Sequence, residues 1–287
     1  MNNPLVSIVV YTYNSSETII DTLESIKIQT YPNIELIVSD DGSKDDTYIK
    51  ALTWVNINRE KFCRALVIRS FSNMGTSFNY NHGIINSTGY YIKILDGDDC
   101  LCGKDSINKF VEFLQSNNHD IVMSDVELFS EDDVDVVSQR AWYDEIFEKT
   151  NEPLDKQQKR IPVELRIADP GIFFKRSLYN EIGGFDEKYK LMEEWPFFYN
   201  VIMKGHKIDA IPERLVKYRL RDNSVSHGKL SKTFVVLLND WNRFFIKVRM
   251  LEMIRRHEYK QVVLQSYRNF MNYIRTISKY YINRLPL

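Results

Sequence analysis

The stretch Tyr91-Ile92-Lys93-Ile94-Leu95-Asp96-Gly97-Asp98-Asp99 decides how this chain is read. A mostly apolar run passes straight into an acidic turn, the pattern of a buried strand that ends at a polar edge. Carboxylates at i and i+2 just past a strand end can hold a hard divalent cation, Mn²⁺ or Mg²⁺, which takes oxygen ligands and shares them with a substrate's phosphates. The spacing alone carries little, because Asp133-Val134-Asp135 repeats it. That second copy sits in the acidic run from Glu131 to Asp135 and reads as solvated surface. Position after a strand favours the first copy.

Working outward, residues 5–10, 34–39, 65–69 and 120–124 are further short, nearly continuous apolar runs, as in a parallel sheet buried on both faces. Helical patterns separate them. Ile19, Ile20, Leu23 and Ile26 recur at helical spacing, and Asn14 with Glu17 suggests a capping-box start. Helices are expected near 46–58, 76–86 and 104–116. The resulting βαβαβαβαβ order predicts an α/β sheet whose ligands sit at the carboxyl ends of its strands.

Two more loops leave such ends. Tyr11-Thr12-Tyr13-Asn14 offers rings that either stack on a base or rim the core. Asp40-Asp41-Gly42-Ser43-Lys44-Asp45-Asp46-Thr47 is either a turn with a helix cap or a carboxylate placed against a nucleobase edge. One aromatic and two acidic loops at adjacent strand ends would converge on one crevice. No G-x-G-x-x-G follows the first strand, and there is no G-x-x-x-x-G-K-[ST] or G-x-S-x-G, which disfavours dinucleotide-binding, P-loop and α/β-hydrolase readings.

Downstream, residues 149–160 are polar and read as a loop. A strand is expected over 171–174, a helix over 177–182, the Gly183-Gly184 break, a helix over 195–204, strands near 207–211 and 214–220, and nearly continuous helix from Lys232. The organisation expected is a catalytic domain over 1–228 and a basic, amphipathic helical region over 229–287. That tail holds twelve Lys and Arg against Asp240, Glu252 and Glu258, a net +9, while the first 228 residues carry −10. Either the tail faces an anionic membrane surface, or its helices pack or form a homodimer with the basic face in water.

At 287 residues, 44% hydrophobic and 27% charged, the chain is no disordered, collagen-like or disulfide-stapled protein. Its apolar run at 234–238 is far short of the roughly 18–20 residues that span a bilayer. Met1-Asn2-Asn3-Pro4 lacks a basic n-region, so no secretory signal is expected. Three cysteines without metal-ligand spacing (Cys63, Cys100, Cys102) suit a reducing compartment. A cytoplasmic protein is expected, with a peripheral position on the inner face of the cytoplasmic membrane if the tail docks.

The ordered motifs resemble the family-2 inverting glycosyltransferases of bacterial cell-surface glycans, which have the GT-A fold. They run through Val6 to Asn14, Ser25-Ile26, Gln29-Thr30-Tyr31, Glu35 to Asp41-Gly42-Ser43, Asp46-Thr47, Asn73-Met74-Gly75, Asn81-His82-Gly83, Gly89-Tyr90-Tyr91 and Leu95 to Asp99, then Gly183 to Glu187, Glu193-Glu194-Trp195 and Tyr218-Arg219. The resemblance covers about residues 5–226. It implies a mainly parallel, mixed sheet flanked by helices, followed by the helical extension. It further implies a nucleotide-sugar donor, a UDP-sugar, and a glycan or lipid-linked oligosaccharide acceptor, with no nucleic-acid partner. Tyr11, Tyr13, Asp41 and Asn73 would hold the nucleotide. Asp96 and Asp98 would bind the metal and the sugar diphosphate, with Asp99 in support. The acidic pair with the catalytic base would be Glu193-Glu194, the base being Glu194.

Three positions depart from the family pattern. Tyr11 stands for the usual Pro, Tyr80 for a frequent Arg, and Glu194 for Asp, one methylene longer. An acid at a helix start, with Pro196 in the first turn, also complements the helix macrodipole, which is the alternative role for Glu193-Glu194. Near the end of this region lie Arg219, Arg221 and His227. Arg221, where relatives often have His, either pairs with the diphosphate or is a surface charge. A nucleotidyltransferase on a related sheet and a non-catalytic sugar-binding or scaffold module are the competing functions.

Overall fold

Four of the apolar runs pair side by side in parallel. In the computed structural model, which describes residues 3–117, 119–131, 136–162, 164, 167, 169–221 and 232–282, they are β1 (Val6–Thr12), β2 (Ile34–Asp40), β3 (Arg64–Arg69) and β4 (Tyr91–Asp96). Between them run α1 (Ile19–Lys27), α2 (Thr47–Asn58) and α3 (Thr76–Ile85). Every residue of β1 and β2 is buried, which is why these strands read as continuous rather than alternating apolar runs. Glu35 is buried among them. It accepts hydrogen bonds from Ser7 Oγ, Thr88 N and Arg64 Nη1, and these hold its carboxyl below the usual value despite burial.

The chain continues through β5 (Cys100–Leu101), α4 (Ser106–Asn117), β6 (Ile121–Phe129), α5 (Val136–Thr150), α6 (Leu154–Arg160), β7 (Ile172–Lys175), α7 (Arg176–Ile182), α8 (Glu194–Met203) and β8 (Asp209–Arg219). The sheet order is β3-β2-β1-β4-β7-β6-β8-β5. β7 lies antiparallel between β4 and β6, and β5 pairs antiparallel with β8, so the sheet is mixed and mainly parallel.

Several local expectations need correction. α1 starts at Ile19, not at Asn14. Asn14 is left-handed (φ 54), donates its N–H to Ser43 Oγ and accepts from Lys44 N, so it links two loops instead of capping a helix. Residues 149–160 are not a loop. They contain the end of α5 and all of α6, and buried Gln157 donates to Thr150 O and Ile208 O while accepting from Ile208 N. The two strands expected at 207–220 are one, β8. Its register against β6 slips so that Ser124 faces Ile211 and Val126 faces Val216. Pro212, which has no N–H for the ladder, lies in that irregularity. The strand expected at 171–174 is β7, one residue later.

The tail is helical, as read: α9 (Lys232–Phe244), a π-helical turn (Phe245–Arg249), α10 (Met250–Arg255) and α11 (Tyr259–Ile282). His257 at φ 61 breaks it before α11. Among the described residues no helix is long and apolar enough to cross a membrane. Asp133, Asp135, His227 and the boundary expected at residue 228 lie outside the described residues.

Candidate active site

Strand register builds the site. Tyr11 of β1 stands beside Asp96 of β4 and Ser39 of β2, and Thr12 stands beside Asp40. Gly97 N donates to Tyr11 O at 3.0 Å and Asp41 N donates to Thr12 O at 2.9 Å, so the three loops leave the sheet from one edge.

The acidic turn is pinned from both sides. Asp99 N donates to Asp96 O at 3.1 Å, and Thr18 Oγ1 donates to Gly97 O at 3.0 Å. A Cβ on Gly97 would lie 2.6 Å from Thr12 Oγ1, so only glycine fits between the two aspartates. Asp99 is buried and accepts from Arg219 N at 2.9 Å, while Arg219 Nε donates to Asp98 O at 2.9 Å. The Arg219 guanidinium also pairs with Asp21 and Glu131 and lies over the Phe129 ring. Arg219 therefore anchors the turn to β8. Asp96 and Asp98 remain half-buried, and Arg221 Nε stands 3.7 Å from Asp98 Oδ2.

Burial raises the Asp96 carboxyl well above its usual range, and the charges of Asp99, Asp98, Asp169 and Glu193 push it the same way. Burial raises Asp98 as well, against the pull of Arg221 and Arg219. One Asp99 oxygen, Oδ2, has no hydrogen-bond partner among the described residues. The like charges around Asp96 and the unpartnered Asp99 oxygen leave negative charge that a hard divalent cation held by Asp96 and Asp98 would offset.

Across the site, at the start of α8, stand Glu193 and Glu194. Together with Asp169 they form a cluster in which one carboxylate oxygen from each residue lies within 4.8 Å of the other two. Glu193 and Asp169 are buried, and Glu194 is half-buried. Burial and then the Asp169 charge push Glu193 up to about 8. Burial, Asp169 and Glu193 raise Glu194 well above the usual range. Asp169 itself is raised by burial to about 6, moderated by Lys93 and a hydrogen bond from Tyr80.

Sequence reasoning missed Asp169. It precedes β7 at the start of a strand, where the ligand rule does not look. A signal existed in Lys93, a lone cation inside an apolar strand. Its ammonium is fully buried, donates to Ile94 O, Ile172 O and Pro170 O, and is lowered by burial to about 7 while Asp169 and Asp99 oppose that shift.

Tyr11 is buried with its ring centroid 3.8 Å from that of Tyr80, so it rims the core. The Tyr80 hydroxyl contacts that of Tyr11 and donates to Asp169 Oδ2 at 3.2 Å. Tyr13, 41% exposed, presents the open ring. Asp41 is buried, and its two oxygens accept from Met74 N and Gly75 N, each at 2.9 Å. Those bonds fasten the loop carrying exposed Asn73 beside it. Gly75 (φ 104) leaves no room for a Cβ, which would sit 2.7 Å from Lys190 O, the acceptor for Thr76 N.

The tail reaches this site. Asp240 Oδ2 accepts from Leu191 N at 2.8 Å, two residues before Glu193. Trp195 packs edge-on against Trp241 and beside Phe244, and the Arg249 guanidinium lies over its ring.

Comparison with known proteins places this geometry. The family model "Glycosyl transferase family 2" matches residues 7–183, which include Asp41, the acidic turn and Asp169. An uncharacterized glycosyltransferase of Methanocaldococcus jannaschii is 26% identical over 237 residues, 82% of this chain and 78% of its own length. An Escherichia coli protein, UDP-Glc:alpha-D-GlcNAc-diphosphoundecaprenol beta-1,3-glucosyltransferase WfaP, is 41% identical over 95 residues, 33% of this chain and 36% of its own. Among solved structures, S. aureus TarS 1-349 in complex with UDP-GlcNAc has a TM-score of 0.61 at 18% identity, covering 87% of this chain and 75% of that one. This chain spans 45% of the longer TarS structure. The mannosyltransferase PcManGT of Pyrobaculum calidifontis, in complex with GDP-Man and Mn²⁺, has a TM-score of 0.61 at 16% identity, covering 99% and 89%. These neighbours share the GT-A-like sheet with its flanking helices. With more than half of its residues matched by the family model, the chain belongs to glycosyl transferase family 2.

Proposed function

We propose that this glycosyltransferase carries out metal-dependent, inverting transfer of a sugar from a UDP-sugar to a hydroxyl of a glycan or lipid-linked oligosaccharide. The observation that carries the proposal is the facing of two acid groups across one site. Tyr11, in register beside Asp96, meets through its hydroxyl the Tyr80 hydroxyl, which donates to Asp169, the neighbour of Glu193 and Glu194, so the turn after β4 and the start of α8 border one site. The likeness to relatives with UDP-sugar and lipid-diphosphate names supports the donor and acceptor classes.

Asp96 and Asp98, with Asp99 behind them, would hold Mn²⁺ or Mg²⁺. When bound, the ion offsets the negative charge that builds on a leaving nucleoside diphosphate. The remaining roles fall to side chains. Tyr13 stacks on the nucleobase, and Asp41 accepts from its edge through lone pairs left free by the Met74 and Gly75 bonds. Tyr11 backs that pocket, and Asn73 lies beside the nucleotide. Arg221 pairs with the diphosphate. Glu194, the less buried of the two, takes the proton of the acceptor hydroxyl as it attacks the face opposite the leaving group, and a single displacement of this kind inverts the anomeric centre. Glu193 supports it. The cytoplasm is the compartment this reading proposes.

A panel of nucleotide sugars, assayed with and without Mn²⁺ and after chelation, tests this. Release of nucleoside diphosphate with an inverted product is expected, abolished in Asp96→Asn and Asp98→Asn. Release of pyrophosphate would identify a nucleotidyltransferase, and donor binding without turnover a sugar-binding module. Full activity of the Asp96→Asn/Asp98→Asn double variant would overturn the metal assignment.

A further inference from the structure

Among the described residues, nothing covers an apolar face along α11. Tyr259, Val263, Leu264, Tyr267, Phe270, Met271 and Ile274 fall at helical spacing on one side, and each is between 44% and 69% exposed. At about 1.5 Å per residue this stripe is roughly 22 Å long. Exposed Leu251 and Ile254 of α10 add to the apolar surface before it. Soluble surfaces rarely leave so continuous an apolar strip without a partner.

The charges choose the partner. α11 contains Lys260, Arg268, Arg275 and Lys279 and not one Asp or Glu. The tail's three acids do not offset this surface. Asp240 is turned onto Leu191 N, Glu252 pairs with Arg255 and Arg256, and Glu258 precedes the helix. A second copy laid on this face would bring basic edge against basic edge, with no carboxylate on either α11 to pair them. A surface of anionic phosphate headgroups over an acyl layer meets both features, the apolar stripe and the cations beside it. Aromatic rings such as those of Tyr259, Tyr267 and Phe270 suit the headgroup level.

We infer that α11 lies in the plane of an anionic lipid bilayer, with its apolar stripe at the headgroup–acyl boundary and its Lys and Arg on the phosphates. The enzyme is thereby a peripheral protein, held with its catalytic domain beside the membrane. A lipid-linked acceptor would be presented at that same surface, but the inference rests on the face of α11 and not on the identity of the acceptor.

Cosedimentation of the full chain with vesicles tests it, using pure phosphatidylcholine against phosphatidylcholine with about 30 mol% phosphatidylglycerol. The vesicles hold no sugar acceptor, so the readout is independent of transfer activity. Pelleting with the anionic vesicles alone is expected. Raising NaCl from about 0.05 to about 0.5 M shrinks the Debye length from about 14 to about 4 Å and should weaken binding at least about tenfold. Lys260→Glu/Arg268→Glu/Arg275→Glu should weaken it to a similar extent. Val263→Ser/Phe270→Ser/Ile274→Ser should weaken binding even at low salt. These positions are exposed, so circular dichroism and cooperative unfolding should stay unchanged in both variants. Absence of pelleting at low salt, or equal pelleting with uncharged vesicles, overturns the inference. So does a solution dimer that Phe270→Ser dissociates and that ignores vesicles.

Discussion

Replacing Asp240 with Ala would test whether the tail sets the position of Glu193 and Glu194, the proposed catalytic acids. The Asp240 carboxylate is buried and accepts a hydrogen bond from the backbone N–H of Leu191. On its other side the same segment is gripped by α3, where Lys190 O accepts from Thr76 N at 2.8 Å beside the glycine that permits the approach. Glu193 and Glu194 follow within three residues. Removing the carboxylate strands the Leu191 N–H, and a hydrogen bond to a charged acceptor contributes about 1.5–3 kcal/mol. Burial of the carboxylate offsets part of this, since it raises the Asp240 pKa. A net loss of about 1–2 kcal/mol is therefore expected in urea unfolding. A shift of about 1 Å in a catalytic group can cost about 10²-fold in rate, so kcat should fall about 10- to 100-fold, more than donor KM rises. Asp240→Asn keeps an acceptor oxygen at the same place and should recover most of the rate. Steady-state transfer assays alongside urea titrations read both quantities. A variant that loses stability yet keeps the normal kcat would refute the idea that α9 registers the acidic pair. An Asn variant as impaired as Ala would show that charge, not the acceptor atom, does the holding.

Glu194→Gln keeps size and polarity but cannot take a proton, so turnover should drop about 10²–10⁴-fold while calorimetric donor binding persists. The same loss in Glu193→Gln, with Glu194→Gln active, would move the base to the neighbour. Asp169→Asn concerns pH. As the proposed base, Glu194 would work deprotonated, so the rate should rise with pH through its pKa, which burial and then the Asp169 charge hold up. Removing that charge should move the acidic limb of the pH–rate profile to lower pH, and a limb that stays put or moves up would deny the coupling.

Much of this enzyme is legible locally. Buried parallel strands cannot alternate, so Val6–Thr12, Ile34–Asp40 and Tyr91–Asp96 declare themselves by nearly continuous apolar runs, and the acidic turn is readable because it closes one of them. The order of those strands with intervening helices predicts that their carboxyl ends share an edge, which brings Tyr11, Asp41 and Asp96 together. The reading failed where side chains bond across long separations. Asn14 looked like a helix cap until its partners proved to be Ser43 and Lys44, and residues 149–160 looked like a loop because the carbonyls that satisfy Gln157 include one on Ile208.

Charge shows the division most clearly. The sequence by itself determined that acids stand at 96, 98, 99, 193 and 194, and that the tail is basic. It could not show that Asp169, some seventy residues beyond the acidic turn, joins Glu193 and Glu194 within 4.8 Å, or that Lys93 is buried where it feels the charge of Asp169. Nor could it show that Asp240 turns inward to hold Leu191 while α11 keeps its apolar face outward. Periodicity and turn chemistry act over a few residues, and sequence records them. Coulomb interactions and desolvation act through space, so their partners exist only once the chain has folded.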